Sequence, residues 1–158
     1  MKIDKSEVKI IEYKDEYKKK YKELAMEWLN KYNLYEHEDE LILNNPDKFI
    51  LNKGGYIFLA EYEKQIIGTV SLIPDENKVF ELAKLAVTKK YQNNGIAKVL
   101  IEKAIEMAKK EEAKKILLYS NTKLDKAYHL YKKYGFKEIN LNKNKYETAN
   151  LKMELNLN

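Results

Sequence analysis

The chain has 158 residues, 44% of them hydrophobic, which fits a single globular domain spanning residues 1–158 with a sizeable core. The absence of cysteine excludes disulfides and a cysteine nucleophile, and with only two histidines no metal site is expected. All 30 basic residues are lysine, and the formal net charge is +5.

The lysines are dispersed along the chain, and no arginine accompanies them. Proteins that read DNA sequence rely on the planar fork of arginine, so we interpret the lysines as a solvated surface and expect no nucleic-acid partner. No run of 18 apolar residues and no signal-type N-terminus occurs, which predicts a cytoplasmic protein without a membrane partner. Abundant lysine and asparagine suggest an AT-rich genome.

The hydrophobic pattern predicts a mixed sheet covered by four helices, an α+β arrangement. In chain order the elements are a strand at 8–13, helices at 15–31 and 38–45, strands at 56–62, 65–73 and 78–87, a helix from 96 to about 111, a strand at 114–121, a helix at 123–134, and strands at 136–141 and 149–157. The two-residue connection Glu63-Lys64 indicates a hairpin. Gly135 fits the position after a helix end.

The stretch "YQNNGIAKVL" places Gly95 directly before a helical pattern. The first turn of a helix has backbone N–H groups without an internal partner, and the helix dipole adds partial positive charge there. The loop from Gln92 to Gly95 is therefore a candidate anion site, in which Gly95 and Ala97 allow a phosphate to approach the backbone. The loop could equally be a plain strand-to-helix turn.

Two spaced blocks resemble the GNAT superfamily of N-acetyltransferases. In "FELAKLAVTKKYQNNGIAKVLIEKAIEMAKK", Gln92, Gly95 and Ala97 occupy the family's [QR]-x-x-G-x-[GA] positions at a helix start. "LLYSNTKLDKAYHLYKKYGFKEI" resembles its second block, and "KYETANLKMELNL" is similar to the closing strand of many bacterial members. The resemblance covers about residues 8–157 and implies the GNAT fold, with seven strands and four helices in the order β-α-α-β-β-β-α-β-α-β-β.

The resemblance implies that acetyl-CoA binds in a cleft between splayed strands 78–87 and 114–121. The backbone of strand 78–87 would bind the pantetheine arm, and the amides of the loop would hold the pyrophosphate. The implied cofactor-binding residues are Leu85, Ala86, Val87, Gln92, Asn93, Asn94, Gly95, Ile96, Ala97, Lys98, Asn121, Ala127 and Tyr131. Asn121 could instead be only a turn residue at a strand end.

Acetyl transfer to an amine calls for a base, because an alkylamine with a pKa of about 10 is mostly protonated at pH 7. Glu81 lies eleven residues before Gln92, the spacing of the catalytic glutamate in lysine-acetylating family members. Strand alternation predicts that Glu81 shares a face with Ala83, Leu85 and Val87, whereas Lys84 points the other way. The alternative is an exposed carboxylate without a catalytic role.

The resemblance also implies that Tyr131, the tyrosine of the "LY---GF" pattern, protonates the departing thiolate. Tyr131 lies on the apolar stripe of its helix, so core packing is the alternative. A backbone N–H near Leu85 or Val87 is expected to polarise the thioester carbonyl.

The acceptor pocket is expected between the first two helices, where aromatic and acidic side chains would suit a cationic amine. The candidate substrate-binding residues are Trp28, Tyr32, Glu36 and Asp39. The acids could instead form a solvated loop and helix start.

The favoured function is transfer from acetyl-CoA to a small-molecule amine; a protein lysine or N-terminal acceptor, a non-enzymatic acyl-CoA-binding module and a basic RNA-binding module are alternatives. A homodimer is possible.

Overall fold

The computed structural model describes residues 2–142 and 145–158, and its centre is one seven-stranded sheet. The strands are β1 (Lys9–Glu12), β2 (Tyr56–Tyr62), β3 (Gln65–Asp75), β4 (Val79–Val87), β5 (Lys115–Ser120), β6 (Lys137–Ile139) and β7 (Leu151–Asn156). Their order across the sheet is β1-β2-β3-β4-β5-β7-β6. Only β4 and β5 pair in parallel, so the mixed sheet predicted from the sequence is confirmed.

The helices number five in the described chain, one more than predicted. They are α1 (Lys18–Lys31), α2 (His37–Asn44), α3 (Pro46–Phe49), α4 (Ile96–Lys110) and α5 (Asp125–Lys133). The additional helix is the single turn α3, which begins at Pro46 because the fixed φ and missing N–H of proline suit a first helical position. No helix in the described ranges combines the length and apolarity needed to cross a membrane.

The predicted hairpin between β2 and β3 forms around Glu63 and Lys64. Tyr62 pairs with Gln65, and the two turn residues have φ values of 49° and 64°. Two consecutive positive φ values are typical of the type I′ turn, whose twist matches that of the flanking strands.

The sheet separates two hydrophobic cores. The first core lies under α4 and α5 and includes Leu100, Ala104 and Tyr131. The second lies under α1 and α2 and includes Leu24 and Ile42. The helical stripes read from the sequence therefore bury against opposite faces of one sheet.

A β-bulge in β4 changes which residues face each core. Ser71 of β3 pairs with Ala83 and Thr69 pairs with Ala86, so two residues of β4 stand opposite one of β3. Lys84, the first of the two, has a φ of 55°. The bulge shifts the alternation by one residue, which the sequence pattern does not reveal.

The predicted faces of β4 are therefore wrong beyond Ala83. Leu85 and Val87 pack against the core under α4, on the opposite side from Glu81 and Ala83. Lys84, expected to point away from Glu81, lines the same pocket as Glu81. The simple alternation fails because a bulge adds one residue to one strand of the pair.

The parallel strands β4 and β5 separate part-way along their length. They pair only from Val79↔Lys115 to Glu81↔Leu117, although β4 continues to Val87. The end of β5 stays paired with β7 instead. A cleft therefore opens between the two strands beyond Glu81, in agreement with the predicted splaying.

Candidate functional site

The start of α4 has the features of an anion site. Gly95 is the residue before the helix and has a φ of 78°. Residues other than glycine adopt this left-handed backbone conformation only with strain. The first intrahelical bond here runs from the Val99 N–H to the Gly95 carbonyl, 3.3 Å away. The amides of residues 96–98 precede that bond and have no partner within the helix.

The polar side chains of this loop hold its shape. The Gln92 amide donates to the Val87 carbonyl at 2.9 Å, and the Asn94 amide donates to the carbonyls of Tyr91 and Gln92 at 3.1 Å each. The Asn94 Oδ1 accepts the Ile3 backbone N–H at 3.1 Å. Because these side chains bond to protein, anion binding here would fall mainly to backbone amides.

An N-terminal lysine adds charge beside the loop. A Cβ placed on Gly95 would lie 3.3 Å from both Cδ and Nζ of Lys5, so this exposed side chain lies directly over the glycine. A left-handed glycine, first-turn amides and an adjacent ammonium together fit a phosphate-bearing group such as the pyrophosphate of acetyl-CoA.

A pocket lies between the separated ends of β4 and β5, under the start of α2 and the segment before β7. Its lining residues are Trp28, Leu29, Leu34, Asp39, Glu81, Ala83, Lys84, Tyr119, Ser120, Asn121, Leu124, Tyr146, Thr148 and Ala149. The lining therefore combines apolar side chains with charged, amide and hydroxyl groups, which offers a ligand both apolar surface and polar contacts.

Glu81 is buried in this pocket with both oxygens hydrogen-bonded. Only 4% of its surface is exposed. Its Oε2 accepts the Tyr146 hydroxyl and its Oε1 accepts the Lys145 ammonium, each at 2.8 Å. Burial and the negative charge of Glu81 raise the pKa of Tyr146 well above its ordinary value, so this phenol keeps its proton at neutral pH.

A buried ion pair joins α2 to the bulge of β4. The Lys84 ammonium donates to Asp39 Oδ1, and both side chains are 4% exposed or less. The ammonium also lies 5.0 Å from the centre of the Tyr146 ring. Asp39 has a second role, since its Oδ2 accepts the Glu36 N–H at 3.1 Å and caps α2.

Hydrogen bonds to Glu36 hold the segment 145–149 over the pocket. Its carboxylate accepts the Glu147 N–H at 2.7 Å, the Thr148 N–H at 2.8 Å and the Thr148 hydroxyl at 2.6 Å. The Asn121 amide donates to the Thr148 carbonyl at 2.7 Å from the other side. The Glu36 bonds connect residues more than 100 positions apart, and together with the Asn121 bond they hold Tyr146 above Glu81.

The predicted catalytic residues lie in different surroundings. Glu81 is in the pocket, whereas Tyr131 is buried against Phe136, with ring centres 5.7 Å apart, and does not line the pocket. Burial raises the pKa of Tyr131, so it is a protonated phenol at neutral pH. Its role as the acid stays a prediction.

The predicted cofactor-binding residues form two groups. The loop residues from Gln92 to Lys98 lie together at the start of α4, and Leu85, Ala86 and Val87 lie on β4 beyond the bulge. Asn121 lines the pocket at the end of β5, where its Oδ1 also accepts the Lys123 N–H at 2.9 Å. Ala127 packs with Tyr131 against the core under α5.

Of the predicted substrate-binding residues, Trp28 and Asp39 line the pocket. The Glu36 carboxylate is hydrogen-bonded to segment 145–149. Tyr32 does not line the pocket, and its carbonyl accepts the Lys123 ammonium at 3.3 Å. The carboxylates of Glu36 and Asp39 thus bond to this chain's own groups, whereas the sequence interpretation had them facing a cationic amine.

The sequence did not predict Lys84 and Tyr146 as residues of the pocket. A signal existed for Lys84, since one lysine among the apolar residues of "VFELAKLAV" indicates a buried partner. For Tyr146 the sequence contains no such signal, because its position above Glu81 depends on long-range bonds through Glu36.

The open mixed sheet, the cleft between β4 and β5 and the amide-rich start of α4 define the fold of the CoA-dependent N-acetyltransferases. Residues 21–136 match the Acetyltransferase (GNAT) family. The match covers well over half of the chain, and the protein therefore belongs to this family.

Similar proteins agree with this placement. An acetyltransferase of the GNAT family from Staphylococcus aureus Mu50 has a TM-score of 0.88 and 31% identity, over 96% of this chain and 99% of that one. A GNAT family acetyltransferase from Elizabethkingia anophelis, solved with acetyl-CoA bound, has a TM-score of 0.71 and 25% identity, over 97% of this chain and all of that one.

A curated relative, N-acetyltransferase 8F1 of Rattus norvegicus, is 28% identical over 96 residues. The aligned part is 58% of this chain and 43% of the relative, so the match spans less than half of the relative's length.

Proposed function

We propose that the protein transfers the acetyl group of acetyl-CoA directly to a primary amine, most simply that of a small molecule, in a ternary complex. The observation that carries this proposal is the pocket between β4 and β5, which contains a buried carboxylate and a protonated phenol beside the cleft. Acetyl-CoA would supply the activated acetyl group as a thioester. The GNAT structure from Elizabethkingia anophelis, which has acetyl-CoA bound, supports this choice of donor.

Backbone groups would hold the donor. The amides at the start of α4 and the Lys5 ammonium suit the pyrophosphate. Beyond Glu81 the edge of β4 that faces β5 makes no sheet pairing, so its N–H and carbonyl groups suit the pantetheine arm. An N–H near Leu85 or Val87 is the proposed donor to the thioester carbonyl.

Tyr146 and Glu81 form the proposed proton relay. The Tyr146 oxygen can accept a proton from the substrate ammonium while its own proton passes along the existing 2.8 Å hydrogen bond to Glu81. The amine thereby becomes neutral and nucleophilic, Tyr146 remains a phenol, and the Glu81 carboxylate holds the proton. A protonated tyrosine, Tyr131 or Tyr146, would then donate its proton to the leaving thiolate, and the proton lost by the attacking nitrogen as it becomes an amide would restore that phenol.

Two tyrosine variants test this proposal. We expect Tyr146→Phe to lower kcat roughly 100-fold because the relay loses its oxygen, with little change in acetyl-CoA affinity. We expect Tyr131→Phe to preserve the fold, because the ring contact with Phe136 remains, and to slow turnover if Tyr131 is the acid. Thiol release from acetyl-CoA gives kcat, and calorimetry gives the donor affinity.

The results separate the possible roles. Wild-type kcat in Tyr131→Phe would remove Tyr131 from the chemistry, and wild-type kcat in Tyr146→Phe would do the same for the relay. Binding of acetyl-CoA by the wild type without transfer to any small-molecule, peptide or protein amine would favour the non-enzymatic acyl-CoA-binding module.

A further inference from the structure

We infer that the acceptor is a small monoamine that also carries a carboxylate or carbonyl group, as an amino acid does, and is not a diamine or polyamine. This inference rests on the proposed function and concerns the same pocket. It follows from which charges and hydrogen-bonding groups of the pocket are already matched within the chain.

Among the residues that the structure describes, no acid that lines the pocket is left unpaired to receive a second ammonium. Glu81 already bonds to the Lys145 ammonium and the Tyr146 hydroxyl. Asp39 already bonds to the Lys84 ammonium and to a backbone N–H of α2. These are the two acids that line the pocket, and each is paired with a lysine of this chain.

The neighbouring acids Glu36 and Glu38 do not line the pocket, although the charge of Glu38 acts on Tyr146. The Glu36 carboxylate bonds to groups of residues 147 and 148, which fix the segment above the pocket, and it also accepts the Asp39 N–H in the capping box of α2. Glu38 is half-buried on the same helix but does not line the pocket. A diamine would therefore bring a second positive charge into a site that already contains the buried Lys84 ammonium.

One hydrogen-bond donor of the pocket residues, in contrast, is left over. The Trp28 indole Nε1 is buried and has no acceptor among the residues that the structure describes. A buried N–H without an acceptor is costly and rare, so such a group on a side chain that lines the pocket favours a ligand that supplies one. Trp28 lines the pocket, so its indole N–H favours an oxygen acceptor on the substrate.

The test uses matched acceptors with the purified wild-type protein and acetyl-CoA. Each set shares one carbon chain and differs only at its far end, for example 4-aminobutanoate, butylamine and 1,4-diaminobutane, with α-amino acids and their decarboxylated amines as further sets. We expect kcat/KM, measured by thiol release, to be highest for the carboxylate or carbonyl member. The diamine should be poorer by roughly tenfold or more.

Trp28→Phe keeps an apolar ring and removes the N–H. We expect it to raise KM for the carboxylate member more than for the plain amine, so that the preference falls roughly tenfold. Tyr35→Phe is the matched control, because Tyr35 is 37% exposed and does not line the pocket. A preference that Trp28→Phe leaves intact would overturn the role of the indole.

The other outcomes also decide the question. Preferred transfer to diamines or polyamines, or transfer to peptide amines alone, would overturn the inference while the proposed function stood. Failure of acetyl-CoA to bind the wild type, measured separately by thermal unfolding, would instead refute the proposed function.

Discussion

Replacing Glu81 with glutamine should lower kcat by roughly 10²–10⁴-fold, the range expected for loss of a general base. Glutamine has nearly the same shape as glutamate but cannot accept the proton that Tyr146 donates along the 2.8 Å hydrogen bond.

A matched control exists on the surface of the molecule. The Glu102 carboxylate accepts the Tyr134 hydroxyl at 2.6 Å, the same kind of pair far from the pocket lining. Glu102→Gln should leave kcat at the wild-type value. An unchanged kcat in Glu81→Gln, with normal thermal unfolding, would exclude Glu81 from the mechanism.

Replacing Lys84 with methionine should destabilise the protein by about 3–5 kcal/mol, the cost of leaving one partner of a buried ion pair alone. The Asp39 carboxylate would remain buried with its Oδ1 unpaired. The free energy of unfolding in urea measures this loss. The left-handed backbone of Lys84 is the same in both proteins, so backbone strain does not enter the difference.

Two further variants identify the cause of the loss. Adding Asp39→Asn to Lys84→Met should recover much of the stability, because asparagine removes the charge and can still cap α2 through its side-chain oxygen. Lys20→Met breaks an exposed pair with Glu23 and should cost less than about 1 kcal/mol. If Lys84→Met were no more destabilising than Lys20→Met, the ion pair would not hold α2 on β4.

The order of strands and helices could be predicted because the signals are local. Apolar periodicity located the helices and strands, and the Glu63-Lys64 turn located the hairpin. The cleft followed from the resemblance, and the limited pairing of β4 with β5 agrees with it.

The faces of β4 could not be predicted because a bulge has no fixed residue signature. One added residue at Lys84 moves Leu85 and Val87 to the other side of the sheet and brings Lys84 into the pocket. A strict period of two, applied to an uninterrupted apolar strand, gives the opposite result.

The position of segment 145–149 above the pocket could not be predicted either. Segment 145–149 lacks helical or strand periodicity, and it is fixed by bonds from Glu36 and Asn121, which come from distant parts of the chain. Tyr146 reaches Glu81 only through this arrangement. Contacts of this kind depend on tertiary structure, which a single sequence without an alignment does not encode in any local pattern.

The most direct test of the proposed function is thermal unfolding with and without acetyl-CoA, for the wild type and Gly95→Trp. Acetyl-CoA at a hundred times its Kd should stabilise the wild type by about 2.7 kcal/mol, a rise in Tm of about 5–10 °C. Gly95→Trp should show no such rise, because Gly95 is left-handed and lies against Lys5 at the start of α4. No rise in the wild type would contradict the acetyltransferase proposal, and an equal rise in both proteins would show that the donor does not bind at this loop.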